Sequence, residues 1–294
     1  MVVRVAKHSG FCFGVKNAEK TAQEIINTRS DKKLYMLGAL THNEQVVNEL
    51  LDGGFILIDS PEEADDNSLV LLRAHGVTCE VRDVLAKKNC EVIDCTCPFV
   101  AKIHRIVKEH ADLGMNILVA GTKGHPEVIG ICSEAPSDRV YVISKADEID
   151  NVPFDLTNTI LVSQTTFSVH EFKEICAIVK NQIAISCIFD TICSTTESRQ
   201  QEALKLSDIS DVMLVIGSAN SSNTCKLFDV CRRKCDRTYL VSDLNDARKL
   251  IEDGYVTLDS QVGITAGAST PECIILEVVH EYERERSNDK SGTD

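Results

Sequence analysis

Three times along this chain an apolar run leads into a cysteine, and each cysteine is followed by the same order of segments. The runs are "VVRVAKHSGFC" ending at Cys12, "CEVIDCTC" ending at Cys97 and "SCIFDTIC" ending at Cys193, so the cysteines stand 85 and 96 residues apart. After each comes a helix-like stretch and a strand-like run that ends in glycine: "LYMLG" at Gly38, "NILVAG" at Gly121 and "VMLVIG" at Gly217. Those glycines follow their cysteines by 26, 24 and 24 residues. A further strand ("FILIDS", "VYVISKADEID", "TYLVSDLNDA") comes next, and a last one ("LVLLRAHG", "TILVSQTT", "VGITAGAS") closes each copy. A chain patterned this way is one supersecondary unit used three times.

The strand-like runs are short, nearly continuous and rich in Val, Ile and Leu, as parallel strands buried on both faces must be. They alternate with amphipathic stretches such as "NEQVVNELLDGG" and "EVRDVLAKKN". That rhythm predicts an α/β protein of three similar small domains, each with a parallel sheet of about four strands. The strand pattern opens each unit with the apolar run before its cysteine, whereas the second and third cysteines themselves are taken as the boundaries. The units are placed at residues 1–96, 97–192 and 193–282, followed by a polar tail over 283–294 that is expected to fray.

Composition narrows the function. Among 294 residues the net charge is −14, which leaves no excess of Lys and Arg to displace counterions from nucleic acid or an anionic membrane. "MVVRVAKHSG" lacks the apolar core of a signal peptide, and no run reaches the ~18 apolar residues of a membrane span. The expectation is a cytoplasmic protein with neither a nucleic-acid nor a membrane partner. Thirteen cysteines, an odd number thinly spread, read as reduced thiols rather than a disulfide framework.

In open parallel sheets, ligands bind beyond the carboxyl ends of the strands. Cys12, His42, His75, Cys97, His125, Glu127, Thr165, Cys193, the "NSSN" of residues 220–223 and Ser269 all fall at such ends. Three units with those ends turned inward would gather three thiols around one point. The three lack the paired spacing of a structural zinc site and suit a larger object. A cubane iron–sulfur cluster on three thiolates keeps its fourth iron open as a Lewis acid. The competing reading is three core cysteines repeated by ancestry. Gly10 and Gly14 would admit bulky sulfides, and Phe11 and Phe13 would exclude water. Cys97 rather than Cys95 matches the repeat, because Pro98 marks a helix start. Cys225, Cys231 and Cys235 lie in one predicted helix and read as core, and Cys79, Cys90, Cys132, Cys176, Cys187 and Cys273 as packing.

His42, His75 and His125 each follow a strand, and with "NSSNT" and "TAGAS" they read as an anion site of imidazoles, hydroxyls, an amide and helix N-terminal N–H groups. The serine segments also read as plain N-caps. His8, His104, His110, His170 and His280 form no pattern. Glu127, just past Pro126, is a solvated surface carboxylate or, in a dry cavity, a proton donor with a raised pKa.

Nine segments in order, "SGFCFGVKNAEK", "GALTHNEQVV", "LLRAHGV", "DCTCPFVAKIH", "GTKGHPEVIG", "SQTTFSV", "DTICSTTESRQ", "GSANSSNT" and "GITAGASTP", resemble the 4-hydroxy-3-methylbut-2-enyl diphosphate reductases, the last enzymes of the methylerythritol phosphate route to isoprenoids. The resemblance covers residues 1 to about 282. It implies a pseudo-threefold trefoil of α/β domains around one [4Fe–4S] cluster held by Cys12, Cys97 and Cys193; loss of the open iron would leave [3Fe–4S]. It gives the substrate's diphosphate to His42, His75, His125, Ser221, Ser222, Asn223 and Ser269. Thr165 would contact the substrate hydroxyl and Glu127 would deliver protons. Electrons would come from ferredoxin or flavodoxin, and the products would be isopentenyl and dimethylallyl diphosphate. The chain departs from the family at Cys95, where relatives commonly carry a small residue such as alanine. Two other readings stand beside this one: a quinolinate-synthase-like three-cysteine enzyme, which the anion segments disfavour, and a cluster-based redox sensor, which leaves Glu127 and the histidines unexplained.

Overall fold

The computed structural model describes residues 1–28, 31–182, 185 and 187–290. The first strand is β1 (Val2–Val5). An alternating segment follows: α1 (Phe13–Thr28), β2 (Leu34–Leu37), α2 (Glu44–Asp52), β3 (Phe55–Ile58), β4 (Leu69–Leu72), α3 (Cys79–Lys87) and β5 (Glu91–Asp94). It recurs as α4 (Pro98–Asp112), β6 (Asn116–Ala120), α5 (Pro126–Cys132), β7 (Val140–Ile143), β8 (Thr159–Ser163), α6 (Val169–Gln182) and β9 (Cys187–Ile188). The third pass is α7 (Ser194–Ser207), β10 (Val212–Ile216), α8 (Ser222–Arg232), β11 (Thr238–Val241), α9 (Leu244–Glu252), β12 (Gln261–Ala266) and α10 (Glu272–Lys290).

Phe13–Cys193 form one compact unit, and Met1–Cys12 with the segment from Ser194 onward form the other. The first unit holds two four-stranded sheets, ordered β3-β2-β4-β5 and β7-β6-β8-β9, and the second holds one, ordered β11-β10-β12-β1. All pairs are parallel. The α/β class and the four-stranded parallel sheets expected from the runs are therefore present. The runs that read as most continuous, β2, β4, β8 and β10, are buried at every residue. Each sheet is covered on both faces. Met36 and Leu71 pack with Ala18, Ala22 and Ile25 of α1, while Tyr35, Val70 and Leu72 pack with Leu85 of α3.

Two expectations are corrected. The strand before each cysteine does not open a unit but lies at the edge of the sheet that precedes it, β5 on β4, β9 on β8 and β1 on β12. A parallel strand is reached through a crossover helix, so β5 follows from β4 by way of α3, and the cysteine after it starts a new crossover. Residues 1–12 thus fold with the third segment, and the expected first unit of 1–96 loses its opening strand. The polar stretch from 283, expected as a frayed tail, continues α10 to Lys290. Its Glu and Arg residues are good helix formers, and Arg284 pairs with Glu281 one turn back at 2.6 Å.

Candidate functional site

The three cysteines occupy one local position. Each directly precedes a helix, α1, α4 or α7. The backbone N–H of Cys12 donates to the Ala268 carbonyl at 3.1 Å, that of Cys97 to Ala74 at 3.0 Å and that of Cys193 to Thr165 at 3.1 Å. Those acceptors all lie two residues past the third strand of their sheet, after β12, β4 and β8. Cys95 differs. Its N–H continues the ladder to Leu72 at 3.1 Å, and its side chain, 6% exposed, joins the core with Ala18 and Leu71. Burial pushes the Cys95 thiol up, away from the thiolate that a metal needs. A Cβ at Gly14 would stand 3.0 Å from Cys97 Sγ, so that glycine keeps the approach to the thiol open. Gly10 is needed for a different reason, its φ of +81°. Phe13, expected to exclude water, is instead 65% exposed. Of the cysteines read as packing, Cys187 and Cys273 are exposed, whereas Cys231 and Cys235 are core residues as expected.

Within the unit of Phe13–Cys193 the three strand-end histidines converge. One ring nitrogen from each of His42, His75 and His125 lies within 4.8 Å of the others. The ring centroids of His42 and His75, and of His75 and His125, are each 5.3 Å apart. His125 caps α5: its Nδ1 accepts the Glu127 N–H at 3.1 Å, which leaves the ring proton on Nε2, free to donate. His42 Nε2 and His75 Nδ1 are buried without a hydrogen-bond partner, the state of groups waiting for a polar ligand. Burial, then the neighbouring imidazoles and Arg73, holds His75 well below the ordinary range. Burial does the same to His125, taken to about 4, and to His42. All three are neutral at pH 7.

Arg73 is the residue that sequence reasoning missed. Its only mark is its place in "LLRAHGV", a charge directly after β4 and two residues before His75. Nε of Arg73 is buried without a partner, and the guanidinium packs on Gly38, where a Cβ would meet Nη1 at 2.6 Å. Three imidazoles could bind a metal, but Arg73 already places a positive charge beside them, so the set favours an anion.

Glu127, on the first turn of α5, is 1% exposed. One carboxylate oxygen accepts the Thr165 N–H at 2.6 Å and the other accepts the Thr165 hydroxyl at 2.9 Å. Burial outweighs these bonds and pushes its pKa up to about 7. The reading of Glu127 as a solvated surface group is thereby excluded.

In the other unit, Ser221 caps α8 by accepting the Thr224 N–H at 3.4 Å, and its hydroxyl lies 3.5 Å from that of Ser269. Ser222 is the first residue of α8. Asn223 Oδ1 accepts the Ala268 N–H at 3.0 Å while its Nδ2 is buried and unpartnered. Ala268 also accepts from Cys12, so one short turn couples a cysteine position to the serine and asparagine donors.

The family described as LytB protein matches residues 3–283. The chain belongs to the LytB protein family. A LytB relative from Caldanaerobacter subterraneus subsp. tengcongensis, named 4-hydroxy-3-methylbut-2-enyl diphosphate reductase, is 37% identical over 293 residues, covering 99% of this chain and 100% of the relative. One from Alkaliphilus oremlandii with the same name is 38% identical, covering 95% and 98%. Among solved LytB structures, the E-1-hydroxy-2-methyl-but-2-enyl-4-diphosphate reductase of Plasmodium falciparum is 29% identical with a TM-score of 0.87, covering 95% of this chain and 87% of that one. The family resemblance carried by the nine segments is borne out.

Proposed function

We propose that this LytB protein is a cytoplasmic reductase that removes the allylic hydroxyl of (E)-4-hydroxy-3-methylbut-2-enyl diphosphate, giving isopentenyl and dimethylallyl diphosphate. The two electrons would come from ferredoxin or flavodoxin, and Cys12, Cys97 and Cys193 would hold the [4Fe–4S] cluster that supplies them singly. The reading is carried by one observation: a buried carboxyl of Glu127, titrating near neutrality in the clasp of Thr165, in the same unit as three convergent neutral histidines. Among the described residues no helix is long and apolar enough to cross a membrane.

The donor set fits such a cluster. Cys12, Cys97 and Cys193 share one backbone position, and the Gly14 Cα leaves room against the Cys97 sulfur that a Cβ would take. When bound, the cluster supplies single electrons and an open iron that polarises the C–O bond. The chain's own groups do the rest. His42, His75, His125 and Arg73 hold the diphosphate by charge-assisted hydrogen bonds, and Ser221, Ser222, Asn223 and Ser269 are assigned the same ligand from the family resemblance. Thr165 orients the leaving hydroxyl, and Glu127, protonated about half the time at pH 7, gives it a proton so that it departs as water. Anaerobic purification is expected to yield brown protein with about four irons per chain, as three-thiolate cubane ligation requires. Turnover of the allylic diphosphate with an artificial reductant should follow; colourless, iron-free protein without turnover sinks the proposal.

The histidines add a pH signature. They are neutral when free, and a bound diphosphate favours their protonated forms. Binding of pyrophosphate should therefore take up protons, and its affinity should fall as pH rises from 6 to 8, by roughly tenfold if one proton is linked over one pH unit near the midpoint. Calorimetric titration in buffers of different ionisation enthalpy measures the uptake. His125→Asn should abolish part of it and raise KM more than it lowers kcat.

A further inference from the structure

His104, which forms no pattern in the sequence, is a buried residue of α4, 7% exposed. Its Nδ1 lies 2.8 Å from the Glu134 carboxylate, while Nε2 is buried without a hydrogen-bond partner. Two glycines make the slot for the ring. A Cβ at Gly130 would stand 3.2 Å from its Cε1, and one at Gly76 would stand 3.2 Å from Nε2. Gly130 lies on α5 three residues after Glu127, one turn along the same face, and Glu134 follows in the turn just past the helix end. The side chain missing at Gly130 leaves room for the imidazole, which Glu134 holds by Nδ1.

A buried acid that gives up its proton leaves a buried carboxylate, which is costly without an opposite charge nearby. Thr165 offers Glu127 two hydrogen bonds but no charge. We propose that His104, clamped from the outer side by Glu134 in the Gly76–Gly130 slot, is a positioning residue whose protonated ring is the counter-charge for Glu127 after proton delivery. The inference rests on the reading of Glu127 as proton donor. The ring is close enough that its charge lowers the Glu127 pKa against the burial that raises it. His104 in turn holds the Glu134 carboxyl below the usual range, with Arg82 and the Cys79 thiol, 3.6 Å from Glu134 Oε2, as the remaining neighbours. Thr165 and His104 are thus the groups that act on the Glu127 carboxyl, while Glu134, with Cys79 and Arg82 beside it, backs the imidazole.

The test is an isotope-edited infrared titration of the Glu127 carboxyl in anaerobically purified full-length protein, with the band assigned by its loss in Glu127→Gln. His104→Gln keeps the side-chain volume and a donor for Glu134 but cannot carry charge. Its Glu127 midpoint should move up by about one pH unit, the size expected when a nearby opposite charge is removed. Glu134→Gln, a change at a partly exposed site, should move it the same way by less. In turnover assays the fall of kcat with rising pH should shift upward by the same one unit in His104→Gln, with KM unchanged. An unmoved midpoint in a folded His104→Gln protein overturns the inference. Because the infrared midpoint needs no substrate, it decides this point even for a chain that fails to reduce the allylic diphosphate, a failure that would count against the enzyme reading alone.

Discussion

Cys97→Ala is expected to abolish cluster retention and activity together, whereas Cys95→Ala, two residues away, should keep both. The contrast follows from where each residue stands. Cys97 has left the ladder and begins α4 with its N–H tied to Ala74, the position that Cys12 and Cys193 hold in their own sheets. Cys95 is still paired to Leu72 and is packed in the core with its thiol pushed up by burial. Removing its sulfur costs stability of about 1 kcal/mol, the scale of one buried methylene-sized group. Iron and acid-labile sulfide per chain, measured after anaerobic purification, separate the two variants. Equal loss in both, or full retention in Cys97→Ala, would remove Cys97 from the ligand set.

Glu127→Gln is expected to lower kcat by ~10²–10⁴-fold, the range over which a positioned acid contributes, with KM changed little. Iron content should be that of the native protein. The wild-type rate should fall as pH rises through about 7, because the proton-bearing form is then lost. Stability gives a second readout with a definite sign. The folded-state pKa of Glu127 is raised from 4.5 to about 7, so its favourable contribution is complete below pH 4.5 and is lost as pH rises to about 7. The difference between those values amounts to roughly 3 kcal/mol. Glutamine does not titrate, so the variant should gain on the wild type over this interval in denaturant melts. A parallel pH dependence of the two proteins would mean that Glu127 is ionised in the fold and is not the proton donor.

Much of this was legible in the chain because parallel strands covered on both faces leave an unbroken apolar mark. "LYML", "TILVS" and "VMLVI" are read directly and are buried throughout. The histidines were legible for a related reason: a polar residue just past such a run must stand at a strand's carboxyl end. What could not be read depends on partners distant in sequence. Val2–Val5 looks the same whether it pairs with β2 or with β12, since the ladder is made by backbone groups that have no sequence identity. Cys95 and Cys97 are told apart in the sequence only by Pro98, which marks a helix start after Cys97, and the end of the ladder separates them in the fold. Arg73 and His104 carried no repeat signature. Their roles come from a packed guanidinium against Gly38 and a ring between Gly76 and Gly130, contacts that spacing does not encode.

The pairing of β1 with β12 has a consequence for synthesis. Val5 finds its partner only at Ile264, so this strand waits for one made 259 residues later (264 − 5). At ~5–20 residues per second that wait is on the order of tens of seconds, with the cysteine beside it unpaired from its turn at Ala268. The other two sheets use strands from one contiguous stretch each and can close while the ribosome is still working. The turn that ties Cys12 to Ala268 is therefore completed only after β12 has been made. A circular permutant that moves residues 1–12 behind α10 would make all three sheets local in sequence, and should fold faster while keeping the same hydrogen-bonded partners.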